Sequence, residues 1–128
     1  MIDTGLIIDV PWINFILDDK KVWEMRCNQT KKRGKIALIK KGSKAIYGIA
    51  ELIDSKEKLS TKEMIDNFGK HQIPIHLIKS GKVDKWRTPW VLANVVKFDT
   101  PIPYVHKAGC VIWVPLDEKS KEELKKWS

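Results

Sequence analysis

A tight turn between two apolar segments constrains the fold of this 128-residue chain more than any other feature. Residues 35–40 and 45–53 are rich in Ile, Leu and Ala, and Lys41-Gly42-Ser43-Lys44 separates them. Two strand-like segments joined by a short polar turn with glycine predict a β-hairpin. Gly48 interrupts the second segment, where a glycine usually marks a bulge or a close backbone approach. The hairpin is therefore predicted to belong to a sheet that bends.

Further strands are predicted along the chain. Four more segments have strand patterns, at residues 6–8, 22–28, 91–98 and 110–114. The last of these is apolar without interruption, which is typical of a strand at the centre of a sheet. Pro101-Ile102-Pro103-Tyr104 is predicted to be a stiff, extended crossing between strands.

Short helices are predicted between and after these strands. Pro11 suits the first turn of a helix, and apolar residues at three- and four-residue spacing follow it up to position 17. Ser60 and Ser120 each have a glutamate three residues later, so each is predicted to start a helix with a capping box. These patterns predict an α+β fold in one domain, residues 1–128: a small, mixed, partly open β-barrel of about six strands with two to four short helices.

The segment 22–28 carries an unusual charged cluster. Period-two alternation puts Glu24 and Arg26 side by side on one face, and Lys21 can fold back towards them from the preceding turn. The opposite face, predicted to be core, carries Trp23, Met25 and Cys27. Charges of both signs beside an apolar strand suit a site for a small polar ligand or a nucleobase. An ordinary surface ion pair is the alternative interpretation.

The charge distribution predicts an anionic partner. The formal net charge is +8, and no acidic residue occurs between Glu24 and Glu51, an interval that holds eight basic residues. A field of one sign favours binding to nucleic acid, although lysines also simply keep a protein surface solvated. The candidate nucleic-acid contacts are Lys31, Lys32, Arg33, Lys35, Lys41, Lys44 and Arg87.

Tryptophans supply candidate stacking surfaces. Trp86 and Trp90 flank Arg87, an arrangement suited to stacking on a base and gripping a phosphate. Trp90 starts a strand and is predicted to be core, so Trp86 is the better surface candidate. Trp12 is a second stacking candidate, with a core position as its alternative.

Other classes of site and segment find no support in the sequence. No apolar run approaches the ~20 residues of a membrane span, and no signal-peptide pattern precedes the first strand. The two cysteines, Cys27 and Cys110, are predicted to be buried free thiols. His71 and His76 lack carboxylates or thiols at a ligand spacing, so no metal is predicted, and no cofactor motif occurs. A cytoplasmic protein without a membrane partner is expected.

Four stretches in the right order resemble the ASCH family of the PUA-like superfamily. The spacing Lys21-x-x-Glu24-x-Arg26 is similar to that family's Gly-x-Lys-x-x-Glu-x-Arg signature, with Asp19 at the position of the glycine. The segments 33–38, 46–51 and 90–103 resemble its further strands, so the likeness spans about residues 11–114. It implies a PUA-like barrel with a cleft beside the first helix.

The residues and the resemblance together leave two kinds of function for the cleft, and a protein-interaction domain that uses the exposed tryptophans is a third interpretation. The first is binding of RNA or a nucleotide, with Lys21, Glu24, Arg26, Trp12 and Trp86 at the cleft and the basic residues on phosphates. The second is hydrolysis in the same cleft, either of RNA or, as an amidohydrolase, of acylated cytidine, a modified nucleoside. Lys21 and Glu24 would then be the catalytic pair.

The hydrolase interpretation needs a further group. Family amidohydrolases are implied to use a threonine three residues after the lysine, and Glu24 occupies that position here. Cleavage of RNA would instead need a hydroxyl group beside Lys21 at the phosphodiester, with Tyr47 and Thr88 as candidates.

Overall fold

The computed structural model describes all 128 residues and contains six strands and five short α-helices. The strands are β1 (Thr4–Ile8), β2 (Trp23–Arg26), β3 (Gly34–Lys40), β4 (Ala45–Ser55), β5 (Thr88–Pro103) and β6 (Trp113–Pro115). The helices are α1 (Trp12–Leu17), α2 (Thr61–Asp66), α3 (Phe68–His71), α4 (Ile75–Lys79) and α5 (Glu118–Glu123), followed by a 3-10 turn at Lys125–Trp127.

One mixed sheet with the order β2-β5-β4-β3-β1-β6 contains all six strands. β1 runs parallel to β3, and every other neighbouring pair is antiparallel. The sheet is curled into a half-barrel, so the predicted α+β architecture of about six strands is confirmed. The predicted hairpin is also confirmed, because β3 pairs with β4 across the turn at residues 41–44.

Gly48 is the position where β4 bends. The register between β4 and β5 shifts between Ile46 and Gly48, as the predicted bulge requires. A Cβ atom at Gly48 would run into the carbonyl oxygen of Val96 and would lie 2.7 Å from the side chain of Leu17. The missing side chain therefore lets α1 and β5 both approach β4.

Both faces of the sheet are buried. Alternate residues of β1 show this, because Leu6 and Ile8 pack with α1 while Ile7 packs with Leu124 on the α5 side. Burial on two faces explains why β1 and β3 are almost continuously apolar. A third apolar cluster joins Trp23 and Met25 of β2 to helices α2 and α4. This cluster forms one wall of the cleft described below.

The end of the chain departs from the prediction. The segment 110–114 was predicted to be a central strand, but only Trp113–Pro115 forms a strand, and it lies at the edge of the sheet. Val111 and Ile112 are 76% and 44% exposed. The capping box predicted at Ser120 is also wrong, since Asp117 caps α5 and its side chain accepts the backbone N–H of Ser120.

Strand lengths and cysteine burial also differ. β2 ends at Arg26, so Cys27 lies beyond the alternating pattern and is exposed, while Cys110 is half-buried. The prediction that both thiols are buried is therefore wrong, although both are free. Residues 101–103, predicted to be a crossing, are the last part of the 16-residue strand β5. None of the helices combines the length and apolarity that crossing a lipid bilayer requires.

Candidate functional site

A cleft of about 320 Å³ opens where the two ends of the curled sheet approach each other. β2 and β1 are first and fifth in the strand order, yet the Arg26 guanidinium on β2 donates a 2.7 Å hydrogen bond to the Ile7 carbonyl on β1. The curl of the sheet makes this contact possible. The lining residues come from β1, α1, β2 and four later segments: Ile7, Asp9, Trp12, Lys21, Glu24, Met25, Arg26, Lys41, Ile73, Val83, Trp86 and Val111.

Lys21 is a fully buried charged residue at this cleft. Its side chain is 1% exposed, and its Nζ donates a 2.9 Å hydrogen bond to the carbonyl of His71. The Nζ also lies 5.4 Å from the ring centroid of Trp12, within cation–π range. Burial lowers the pKa of Lys21 to about 8, with Glu24 opposing the shift. Both the ammonium and the neutral amine are therefore accessible near neutral pH.

Glu24 is held by Arg26 and keeps one oxygen free. Both Nε and Nη2 of Arg26 donate to Oε2 of Glu24, at 3.1 and 2.8 Å. The other oxygen, Oε1, lies 3.7 Å from Nζ of Lys21, too far for a hydrogen bond. Arg26 is in turn 5.5 Å from the ring centroid of Trp90. The arrangement fixes the carboxylate and leaves Oε1 able to accept from a ligand.

Trp12 and Trp86 both border the cleft. Trp12 is half-buried, packs against two of the apolar clusters and also lines the cleft. It therefore belongs to the core and borders the cleft at the same time. Trp86 is 42% exposed, and a ligand in the cleft can reach its ring. Trp90 is 5% exposed and belongs to the core, as predicted. Of the five residues predicted to bind a ligand, all five line this cleft.

The predicted basic contacts fall into separate groups. Lys41 lines the cleft, and Lys44 lies at the other end of the same turn. The residues 31–35 lie at the opposite end of the seven-residue strand β3, about 20 Å away along the strand. Arg87 is turned inward, since its guanidinium pairs with Asp84 and donates to Thr61 Oγ1 at 2.8 Å. The structure therefore brings only Lys41 of the seven to the cleft itself.

The basic field around residues 31–35 is partly neutralised in space. Asp3 and Asp54 lie outside the acid-free interval of the sequence, yet each is 3.9 Å from a basic residue there, Lys32 and Arg33 respectively. Lys35 donates to the carbonyl of Trp127 at 2.8 Å. Lys31, Lys41 and Lys44 form no ion pair.

No hydroxyl or thiol group lines the cleft. Thr88 is 3% exposed, and its hydroxyl donates to the Cys27 carbonyl at 3.3 Å. Tyr47 packs against the apolar cluster that includes α1, and Nζ of Lys40 lies over its ring. Neither residue is placed to work with Lys21. No group of three or more metal-ligating side chains occurs in the structure.

Sequence reasoning missed the parts of the cleft that come from distant segments. Ile73, Val83 and Val111 supply apolar walls, and backbone carbonyls of Ile7 and His71 bind the charged groups. A backbone carbonyl has no sequence signal. Asp9 alone had a usable one, as a polar residue directly after the apolar strand β1.

A family model for the ASCH domain matches residues 6–102. The crystal structure of ASCH from Zymomonas mobilis is 12% identical in sequence and superposes with a TM-score of 0.71, covering 96% of this chain and 93% of that one. The structures of two single-residue variants of the Zymomonas mobilis protein are also 12% identical to this chain, with TM-scores of 0.69. The first superposition covers 96% of both chains, and the second covers 97% of this chain and 94% of the variant. At this identity the likeness concerns the fold alone. No curated protein matches the chain by sequence.

Proposed function

The chain belongs to the ASCH domain family, which is generally thought to bind RNA, and on that premise we propose that it binds single-stranded RNA and holds one nucleotide of the strand in the cleft. The observation that carries the proposal is the meeting of Lys21, Glu24 and Arg26 in one concave site between two tryptophan rings. A cavity of about 320 Å³ is within the ordinary range for a small-ligand site.

The base is proposed to stack on Trp86. Its ring is 42% exposed at the cleft, whereas the other tryptophan there, Trp12, is fixed by packing and by the Lys21 contact. An unpaired base of any kind presents a flat face to such a ring, and stacking contributes ~1–3 kcal/mol per base. Single-stranded RNA is therefore favoured over a duplex, whose bases are already stacked.

Glu24 is proposed to read the edge of the base. Its Oε1 is the free acceptor of the cleft, and the fork from Arg26 holds it in position. A carboxylate accepts from an exocyclic amino group, such as N4 of cytosine. Uracil has an oxygen at that position, which would face the carboxylate. The ligand is therefore a base with an amino group, and a modified nucleoside that keeps a donor there also fits.

Lys41 is proposed to hold the phosphate nearest the cleft, since it is exposed, lines the cleft and has no acidic partner. Four other basic residues are proposed to contact only a longer RNA strand, because the length of β3 separates them from the cleft. These residues are Lys31, Lys32, Arg33 and Lys35. Arg87 is not proposed to contact RNA, since its guanidinium already donates to Asp84 and Thr61.

The test is a binding titration with short single-stranded RNAs made only of cytidine or only of uridine. We expect the cytidine strand to bind more tightly and Trp86→Ala to weaken that binding by about 10-fold to 100-fold. Glu24→Gln should reduce the preference for cytidine over uridine. Phe68→Leu is the matched control, since Phe68 is an exposed aromatic residue outside the cleft. Equal affinity of Trp86→Ala and the unaltered protein would contradict the proposal.

Hydrolysis in the same cleft is the second candidate function. The depressed pKa of Lys21, about 8 as a result of burial, supports it because a neutral amine is a general base. Because no hydroxyl or thiol lines the cleft, the nucleophile would be a bound water, with Lys21 and Glu24 as the acid–base pair. Product formation from RNA and from N4-acylated cytidine, lost in both Lys21→Met and Glu24→Gln with folding and RNA binding retained, would establish an enzyme. If neither substrate is converted, the hydrolase candidate is wrong and RNA binding stands on the titration alone.

A further inference from the structure

A second cavity of about 340 Å³ adjoins the cleft. Ile7, Lys41 and Val111 line both spaces, so Lys41 stands between them. The new walls are the β3–β4 turn and the segment that follows β5. The other residues that line the second cavity are Ile39, Gly42, Lys44, Tyr104, His106 and Cys110.

The second cavity is positively charged. Lys41 and Lys44 are both exposed, and neither forms an ion pair, while no carboxylate lines the space. The backbone N–H of Tyr104 donates to the Lys44 carbonyl at 3.2 Å, which ties the turn to the opposite wall. Two unpaired ammonium groups in a concave space without acidic neighbours favour an anionic ligand.

A hydrogen-bonded pair fixes the ring of His106 at this cavity. The Tyr104 hydroxyl and Nδ1 of His106 are 2.9 Å apart, and Tyr104 is only 8% exposed. Burial raises the pKa of Tyr104, so its hydroxyl keeps its proton. His106 is thus a third polar group on the wall, and its contact with Tyr104 sets its orientation.

We propose that this second cavity binds the adjacent nucleotide of the RNA strand, with the phosphate that links the two nucleotides between Lys41 and Lys44 and the next ribose at His106. The smallest ligand that uses the whole site is therefore a dinucleotide with one internal phosphodiester. The inference rests on the proposed function and goes further, because it assigns a second subsite and a minimum length to the bound strand. Two adjoining spaces of similar volume, one bordered by tryptophans and one by donors, are what such a ligand requires.

Three ligands separate the contributions: cytidine, the dinucleotide CpC, and CpC with an uncharged methylphosphonate link. We expect CpC to bind at least about 10-fold more tightly than cytidine and the methylphosphonate to lose most of that gain. Lys44→Gln should bring CpC closer to cytidine and reduce the slope of log affinity against log salt by about 0.7. His106→Gln should also weaken CpC without changing cytidine. Lys126→Gln is the matched control, since Lys126 lines neither cavity.

Each outcome separates this inference from the proposed function. If CpC binds no better than cytidine, or if Lys44→Gln and His106→Gln leave CpC unaffected while Trp86→Ala weakens it, the second subsite is wrong and RNA binding in the cleft remains. If neither CpC nor a longer single-stranded RNA binds at all, both proposals are wrong. Lys44 is an exposed residue, so its variant is expected to fold, and a thermal unfolding curve checks this.

Discussion

The ammonium group of Lys21 donates a 2.9 Å hydrogen bond to the carbonyl oxygen of His71, a residue fifty positions later in the chain. The His71 ring is itself bound at both nitrogens. Its Nε2 lies 2.6 Å from the Met64 carbonyl, and its Nδ1 accepts the backbone N–H of Ile73 at 2.9 Å. Only the neutral Nε2–H tautomer satisfies both contacts. The position of the cleft lysine therefore depends on an uncharged histidine.

This dependence predicts sensitivity to acid. Burial lowers the pKa of His71 below its ordinary value of 6.5, so the unfolded chain takes up a proton that the folded protein resists. The stability that His71 contributes is therefore complete above pH 6.5 and is lost as the pH falls through its lower folded value. Urea unfolding between about pH 7.5 and pH 5 should show a falling free energy of unfolding, and His71→Gln should make the fall less steep.

The matched control for this prediction is His76→Gln. His76 is exposed on α4 and makes no side-chain hydrogen bond, so its replacement should leave the pH dependence unchanged. An unaltered pH profile in His71→Gln would mean that other groups cause the acid sensitivity.

Replacing Lys21 by Met should stabilise the protein. Glu24 keeps its two hydrogen bonds from Arg26, so the substitution removes a buried charge without leaving its neighbour unpaired. We expect a gain of ~1–3 kcal/mol in the free energy of unfolding at pH 7. Lys82→Met, at an exposed position with no ion pair, should change stability by less than ~0.5 kcal/mol.

The pH dependence of this effect has a definite sign. With a folded pKa of about 8 against 10.5 for an ordinary lysine, Lys21 lowers stability fully below pH 8, and the loss is recovered as the pH rises towards 10.5. The gain from Lys21→Met should therefore shrink between pH 8 and pH 10.5. A variant that is less stable than the unaltered protein at pH 7 would show that the His71 hydrogen bond outweighs the burial cost.

Local signals account for the parts of the fold that the sequence predicted. The hairpin turn at residues 41–44 and the Ser60 cap each depend on neighbours within a few positions. The edge position of β6 depends instead on pairing with β1, more than 100 residues earlier, and no local pattern carries that information. An apolar composition made 110–114 resemble a central strand, but the exposed Val111 serves as a wall of both cavities.

The candidate site could likewise be predicted only where its residues are neighbours in the sequence. Lys21, Glu24 and Arg26 are close in sequence, so their proximity followed from strand geometry. The acid-free interval indicated a continuous basic surface, yet it is divided between the two ends of β3, and Asp3 and Asp54 partly neutralise one end. Charges that are remote in sequence decide a local field, and only the fold shows which ones approach.

Asp19 occupies a backbone conformation that favours glycine, the residue of the family signature at that position. Its φ is 60°, in the left-handed region, which Asp tolerates better than β-branched residues do. Asp19→Val should therefore cost ~1–2 kcal/mol of stability, whereas Asp19→Gly should be nearly neutral, because relief of strain offsets the greater freedom of the unfolded chain. Asp18→Val is the control, since Asp18 has a φ of −90°. Equal losses in both valine variants would contradict this explanation.

Gly48→Ala should destabilise the protein more than any other alanine substitution at a glycine of ordinary φ. The added methyl group meets the Val96 carbonyl oxygen and the Leu17 side chain, and the first of these is backbone that cannot turn aside. Forcing β4 away from β5 and α1 should cost ~2–3 kcal/mol. Gly69→Ala is the matched control, because Gly69 lies in α3 with nothing within 4 Å of its added Cβ, and it should stabilise the protein by ~0.5–1 kcal/mol. Urea unfolding of both variants measures the difference.

Because Leu17 ends the helix whose first residue, Trp12, borders the cleft, Gly48→Ala should also weaken RNA binding under conditions where the variant remains folded. Unchanged stability and binding in Gly48→Ala would mean that the bulge yields without moving α1.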